Sequence, residues 1–237
     1  MNLRKVVIFA AVAALVLSSM ALVPQQDTRD IQAVVVKVVR DVQKKAAATG
    51  WQKAVPADRL RSGYQLRTDD RSLAMVMFPD QSKLIIRAKS IVEIKGQKQD
   101  KQIVDRNVHV ERGRLAFEVK KQEREQFRFS SPISVASIRG TTGGVDHAPV
   151  DTTSTFVCTG GSFDVDGFTL LAGQTYQKRG SGQGRVRNST GSDNNIASQD
   201  ENVTGDEGEG EQGQQGKDRL ELIGRDASGK EVKVRIE

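Results

Sequence analysis

Cysteine occurs once in 237 residues, histidine twice, tryptophan once and tyrosine twice. A single Cys158 excludes an intramolecular disulfide, so the fold has to rest on its core alone. The lone thiol fits a small buried hydrophobe at least as well as a reactive group. Two histidines are too few for most metal or acid–base centres. Aromatics at 5% are scarce beside the basic residues, which argues against stacking on nucleic acid. Hydrophobic content is a moderate 37%, and the shortage sits mainly in a polar C-terminal stretch. The overall charge of +6 hides a split: residues 1–187 carry +12 and residues 188–237 carry −6. That pattern predicts a basic body followed by an acidic tail able to shield it.

The N-terminus reads as an export address. Arg4 and Lys5 precede an uncharged, mostly apolar run from Val6 to Val23, and Ser19-Met20-Ala21 offers small residues for a signal peptidase. Eighteen residues also suffice for a membrane anchor, with the positive end left inside. The expectation for residues 1–23 is therefore a signal peptide or anchor, with the remainder periplasmic or held at the inner membrane.

Downstream, the segment Asp27 to Gly50 is ambiguous. Ile31, Val34, Val35, Val38, Val39 and Val42 fall at helical spacing, yet they are β-branched and suit a strand. From Trp51 the period becomes two. Leu73 to Phe78 is apolar on both faces, as in a strand between two layers. Further short strands follow at Leu84–Ile86, Ile91–Ile94, Phe127–Phe129, Ile133–Ile138, Phe156–Cys158, Phe163–Val165 and Phe168–Leu171. Val108 and Val110 on one side of Arg112-Gly113, with Leu115, Phe117 and Val119 on the other, read as a hairpin. Gly160-Gly161 and Asp166-Gly167 read as turns. The expected class is all-β: an antiparallel sandwich or roll, or an irregular solenoid. Residues 179–217, rich in Gly, Ser, Asn, Gln and Glu, read as a disordered linker. Residues 218–237 read as a terminal β-hairpin.

Order and spacing over residues 31–178 resemble the FecR domain, named for bacterial regulators of ferric-siderophore uptake. The resemblance rests on Trp51, Gly63, Leu66 and Thr68, then on the alternating Ser72 to Ser82 run and Val110-Glu111-Arg112-Gly113-Arg114-Leu115. It continues through Ser131-Pro132, Val135-Ala136 and Arg139-Gly140-Thr141, and closes on Gly160-Gly161, Phe163, Val165 and Ala172-Gly173-Gln174. It implies a strand for residues 34–42 and structural roles for Trp51, Gly113, Arg139, Gly140 and Thr141. Three departures stand out. Tyr64 follows Gly63 where the family has Asp, and Gln81 stands where it has Gly, which demands another turn type or strain. Gly143-Gly144 either weakens a strand or marks a bulge. Family regulators carry a long cytoplasmic segment before the membrane, whereas five residues precede the apolar run here, so no direct anti-sigma role is expected.

Candidate chemistry is thin. Asp146-His147 with Asp151 could hold a cation, although a solvated loop is the plainer reading. His109 reads as a half-exposed strand residue. Asp164 and Asp166 share a strand face like some glycosidase pairs, or simply a wet one. Ser130, Ser131 and Ser134 lack a histidine nearby in sequence. Basic residues recur at Arg87, Lys89, Lys95, Lys98, Lys101, Arg106, Arg112, Arg114, Lys120 and Lys121. They are either a solvated face or, centred on Lys95, Lys98 and Lys101, a surface for anionic glycan or lipid. Asn188-Ser189-Thr190 and Asn202-Val203-Thr204 fit the glycosylation sequon, which carries little weight in a bacterial-looking chain. The reading is a non-enzymatic, cofactor-free envelope module that binds another protein. An anionic-polymer binder is the alternative and a hydrolase the third choice, with no nucleic-acid partner.

Overall fold

The computed structural model describes residues 31–99, 102–121, 126–201, 221–225 and 231–235. The expected signal or anchor segment 1–23 lies outside them. Among the described residues no helix is long and apolar enough to cross a membrane. The chain divides into two units, Met1–Gly205 and Asp206–Glu237.

The first unit is all-β: seventeen strands hydrogen-bonded into one continuous sheet whose two halves enclose a shared core. The half called sheet A runs β4 (Arg59–Arg61), β1 (Ile31–Val39), β6 (Leu73–Met77), β7 (Lys83–Ile86), the end of β9 (Gln102–Glu118), β12 (Thr142–Ala148), β13 (Thr153–Gly160), β16 (Gln174–Arg179) and β17 (Arg185–Asn188). Sheet B runs β3 (Gln52–Lys53), β2 (Val42–Lys45), β5 (Tyr64–Thr68), β8 (Ile91–Gln99), the start of β9, β10 (Gln126–Ser130), β11 (Val135–Ile138), β14 (Ser162–Val165) and β15 (Phe168–Leu171). Every strand pairing here is antiparallel except β9 with β10, which run parallel. Strand β1 settles the ambiguity at residues 31–39 in favour of β-branching over helical spacing, since its valines pair across to β6.

One core fills the space between the halves. It draws Val35, Val76, Leu84 and Phe156 from sheet A and Leu66, Val92, Val108 and Phe129 from sheet B. Phe117 from β9 stacks on Phe129 at 4.4 Å between ring centroids, tying the halves together.

The expected hairpin at Arg112-Gly113 is not formed. Residues 102–118 make one long strand that pairs with β8 through Arg112 and with β7 from Leu115. Gly113, at φ +84°, is the corner where that strand leaves sheet B for sheet A. A Cβ there would lie 2.6 Å from Ser90 Cα and 2.8 Å from Lys89 O, so only glycine fits. Gln81 meets the lost glycine's demand by taking φ +67° itself. Asp80 Oδ1 accepts the Ser82 amide at 3.2 Å across that turn.

Regular structure also continues past residue 178, where the composition suggested a linker. After β17 comes a single helical turn, α1 (Gly191–Ile196), capped reciprocally by Thr190 and Asp193. Arg187 grips Asp193 with two contacts, at 2.5 and 2.9 Å. The segment then crosses the outer face of sheet A. Ile196 and Ala197 cluster with Val157, Gln199 donates to Phe117 O at 3.2 Å, and Glu201 pairs with Lys37 and Lys83. Gly144 makes the passage possible, since a Cβ there would sit 2.7 Å from Ile196 O. Of the two readings of the paired glycines, a register shift is present between Thr142 and Gly143. Polar capping, ion pairs through Asp193 and Glu201 and a small apolar contact at Ile196 hold a segment whose composition reads as incapable of folding.

In the second unit, β18 (Glu221–Arg225) and β19 (Glu231–Arg235) pair antiparallel.

Candidate functional site

Of the three serines, Ser130 meets His109 across strands, and Ser131 reaches His147 only through Ser154. On the outer face of sheet B, Ser130 Oγ donates to Asn107 Oδ1 and meets His109 Nδ1, each at 3.0 Å. Burial, then Lys95, holds the His109 imidazole below its ordinary pKa, so it is neutral at neutral pH. At the end of the core, Ser154 Oγ donates to Ser131 Oγ at 2.7 Å and contacts His147 Nδ1 at 2.8 Å. Ser131 in turn accepts the amides of Ile133 and Ser134, closing the turn before β11. Burial lowers the His147 pKa as well. The second group is buried, with His147 at 3% exposure, so its serine–histidine contacts serve the turn rather than a substrate.

The carboxylates disperse. Asp146 and His147 are adjacent on β12 and so point to opposite sides. Asp146 faces Arg114 on the outer surface, and Asp151 pairs with Arg179. Among the described residues no three metal-ligating side chains converge. Asp164 takes a 2.6 Å bond from Thr169, whereas Asp166 sits in the β14–β15 turn at φ +47°. Its carboxylate accepts the Val135 amide at 2.9 Å, the Tyr176 hydroxyl at 2.8 Å and Lys178 at 3.2 Å. Burial pushes the Asp166 carboxyl up, but these donors outweigh it and its pKa ends below the ordinary value. Burial and the Asp166 contact push Tyr176 up to about 12. Asp166 therefore locks a corner.

Of the family-motif residues, Arg139 is exposed at the β11–β12 turn and Gly140 supplies φ +66°. Thr141 is buried, donates to Ser162 O at 3.0 Å and exchanges backbone bonds with Val119. Cys158 is buried, which raises its thiol pKa.

The basic residues divide between faces. Arg114 and Lys120 are exposed on the sheet A side, whereas Lys95 faces out from β8 beside Glu93 at 3.2 Å. Lys98 lies on β8, and Lys101 falls outside the described residues. Lys89, paired with Asp70 at 3.3 Å, borders a shallow recess of about 360 Å³ with Asp41, Thr68, Asp69 and Arg112. Arg106, grouped with the basic face in the sequence, is instead 3% exposed. It pairs with Asp80 at 3.0 Å, with the rings of Phe78 and Phe127 at 5.5 and 6.0 Å. Its even parity with Val108 and Val110, both inward, was the available signal.

Sequence reasoning gave Trp51 a structural role only. Its ring lies 4.7 Å from the Arg67 guanidinium and 5.7 Å from the Lys45 ammonium. Arg67 Nη2 also donates to Gln43 Oε1 at 2.5 Å, so the cation is held in place on the outer face of sheet B.

Residues 64–162 match the family model described as FecR protein, so this part of the chain is similar to a FecR domain. Two solved structures of a candidate anti-sigma factor from Parabacteroides distasonis ATCC 8503, at 1.65 and 2.50 Å, are similar at 17% identity and TM-score 0.46. Each match covers 52% of this chain and 59% of that one, so the chain spans about three fifths of that protein's length. No curated protein matches.

Proposed function

We propose that this chain is a non-enzymatic regulatory or sensory module of the bacterial envelope, exported through residues 1–23, whose β-domain engages another protein by strand addition at β15. The FecR-type match supports the regulatory class. The observation that carries the binding mode is the edge itself. Strand β15 has its described register pairs with β14 alone. Its Leu171 is 55% and its Phe168 36% exposed, and Val135 on β11 is 48% exposed. An exposed edge with apolar side chains is a template for an extended segment of a partner, with backbone bonds giving affinity and side-chain contacts giving selectivity.

The test is a photo-crosslinking residue placed at Thr169, which is exposed on β15, in the native envelope. It should yield a discrete protein adduct that Leu171→Lys abolishes, because a charge on the edge blocks pairing. The same residue at Thr159, exposed on sheet A, should not yield that adduct. Equal labelling at both positions, or an adduct indifferent to Leu171→Lys, overturns the reading.

A further inference from the structure

Strand parity sorts sheet B cleanly. Leu66, Val92, Val108 and Phe129 point into the core, so their neighbours along each strand point out. Register then aligns five of these outward residues in one straight row: Lys45 with Gln65, Gln65 with Glu93, Glu93 with His109, and His109 with Ser130. At about 4.8 Å per strand the row extends roughly 19 Å across the sheet, perpendicular to the strands. Every member is a hydrogen-bonding side chain.

The two ends of the row differ. At one end, Arg67 and Lys45 are both held against the Trp51 ring, and β2, β3 and β5 contain no Asp or Glu at all. The nearest carboxylate in the row, Glu93, is occupied by Lys95 at 3.2 Å. At the other end, Asn107, Ser130 and His109 hold one another at 3.0 Å. With Nδ1 turned to Ser130, the Nε2 edge of the His109 ring faces away from it. The sheet therefore offers a pre-ordered pair of cations and, continuing from it, a line of fixed polar groups.

We infer that this face binds an anionic polysaccharide, with a carboxylate or phosphate of the polymer on Arg67 and Lys45 and successive sugar hydroxyls along Gln65 and His109, whose ring the buried Ser130 holds in place. The chemistry favours a polymer over a lipid surface for two reasons. A headgroup would meet only the cationic end and leave the rest of the row unused. Between Lys45 and Ser130 the row exposes no large apolar side chain to insert among acyl chains. The contacting row, from Lys45 on β2 to His109 on β9, does not reach β15, so its failure leaves the protein-binding reading standing, and the reverse.

Trp51 is the only tryptophan in the chain, so its fluorescence reports on the site directly. The full chain in detergent is titrated with galacturonate oligomers of increasing length, with the uncharged methyl-esterified oligomer, and with glycerophosphoglycerol as a soluble lipid headgroup. The charged oligomer should shift the Trp51 signal, bind more tightly as its length approaches the row, and weaken with added salt. Arg67→Gln and Lys45→Gln should each lower its affinity about tenfold, the loss of one charge-assisted contact. Gln65→Ala should lose the length dependence, and Lys120→Gln, on the sheet A side, should change nothing. Circular dichroism checks that each variant is folded. A monomer binding as well as the oligomer, a headgroup binding as well as the sugar, or folded Arg67 and Lys45 variants binding like the parent would each overturn the inference.

Discussion

Gly113 bends the one strand that pairs into both halves of the sheet. A methyl group there meets the Ser90 and Lys89 backbones at 2.6 and 2.8 Å, on a residue already at φ +84°. Neither backbone can withdraw without opening the β8–β9 ladder. Gly113→Ala is predicted to cost about 3 kcal/mol or more in urea unfolding, the sum of left-handed strain and overpacking. A cost below about 1 kcal/mol would show that the corner is soft. The glycine was plain in the sequence and its role was not. Arg-Gly between two alternating runs is one signal for two structures, a turn that reverses the chain and a bend that carries it to the other layer. The strain at Gln81 was legible, since a family glycine replaced by glutamine leaves the backbone demand in place. The inward turn of Arg106 was legible from parity alone, but its partner Asp80 lies 26 positions away by numbering and no local pattern links them.

Among the elements, the strap from β17 through α1 to Glu201 is where composition misled. Its single helical turn could not stand alone. It is held by Thr190, Asp193 and Arg187 at one end and by a gap at Gly144 in the middle. Contact with Arg187, reinforced by Thr190 and opposed by burial, draws the Asp193 carboxyl down to about 2. The sign follows from linkage. A carboxyl whose folded pKa lies below its unfolded value stabilises the fold above that unfolded value, near 4, and loses this as pH falls toward 2. The contribution is about 1–2 kcal/mol once the partly exposed arginine is allowed for. Between pH 4 and pH 2 the amides of residues 193–198 should lose hydrogen-exchange protection before those of β12 and β13. Asp193→Asn should show the same loss already at pH 7 and little further change on acidification. Simultaneous loss in strap and strands would mean that the strap is integral to the sandwich. Residue counting finds too few aliphatic side chains here, whereas a capping box and an i to i+6 ion pair are short-range features that composition averages away.

For the whole molecule, the class was readable because period-two alternation and frequent turn signals leave few alternatives to stacked sheets. What alternation does not encode is which strands neighbour which. The division of strands between the halves, the single parallel pairing of β9 with β10 and the meeting of His109 with Ser130 all arise from long-range register. The same holds for the row on sheet B and for the open edge at β15. That edge is where we propose that the domain adds a partner's strand. The most direct test of that claim is hydrogen exchange on the complex captured through position 169, compared with the free chain. The Thr169 amide, which the hairpin leaves facing away from β14, should become protected on binding, while those of β13 and β16 keep the protection they already have. Protection that falls elsewhere with β15 unchanged, or a complex that forms with no change at β15, would contradict the claim.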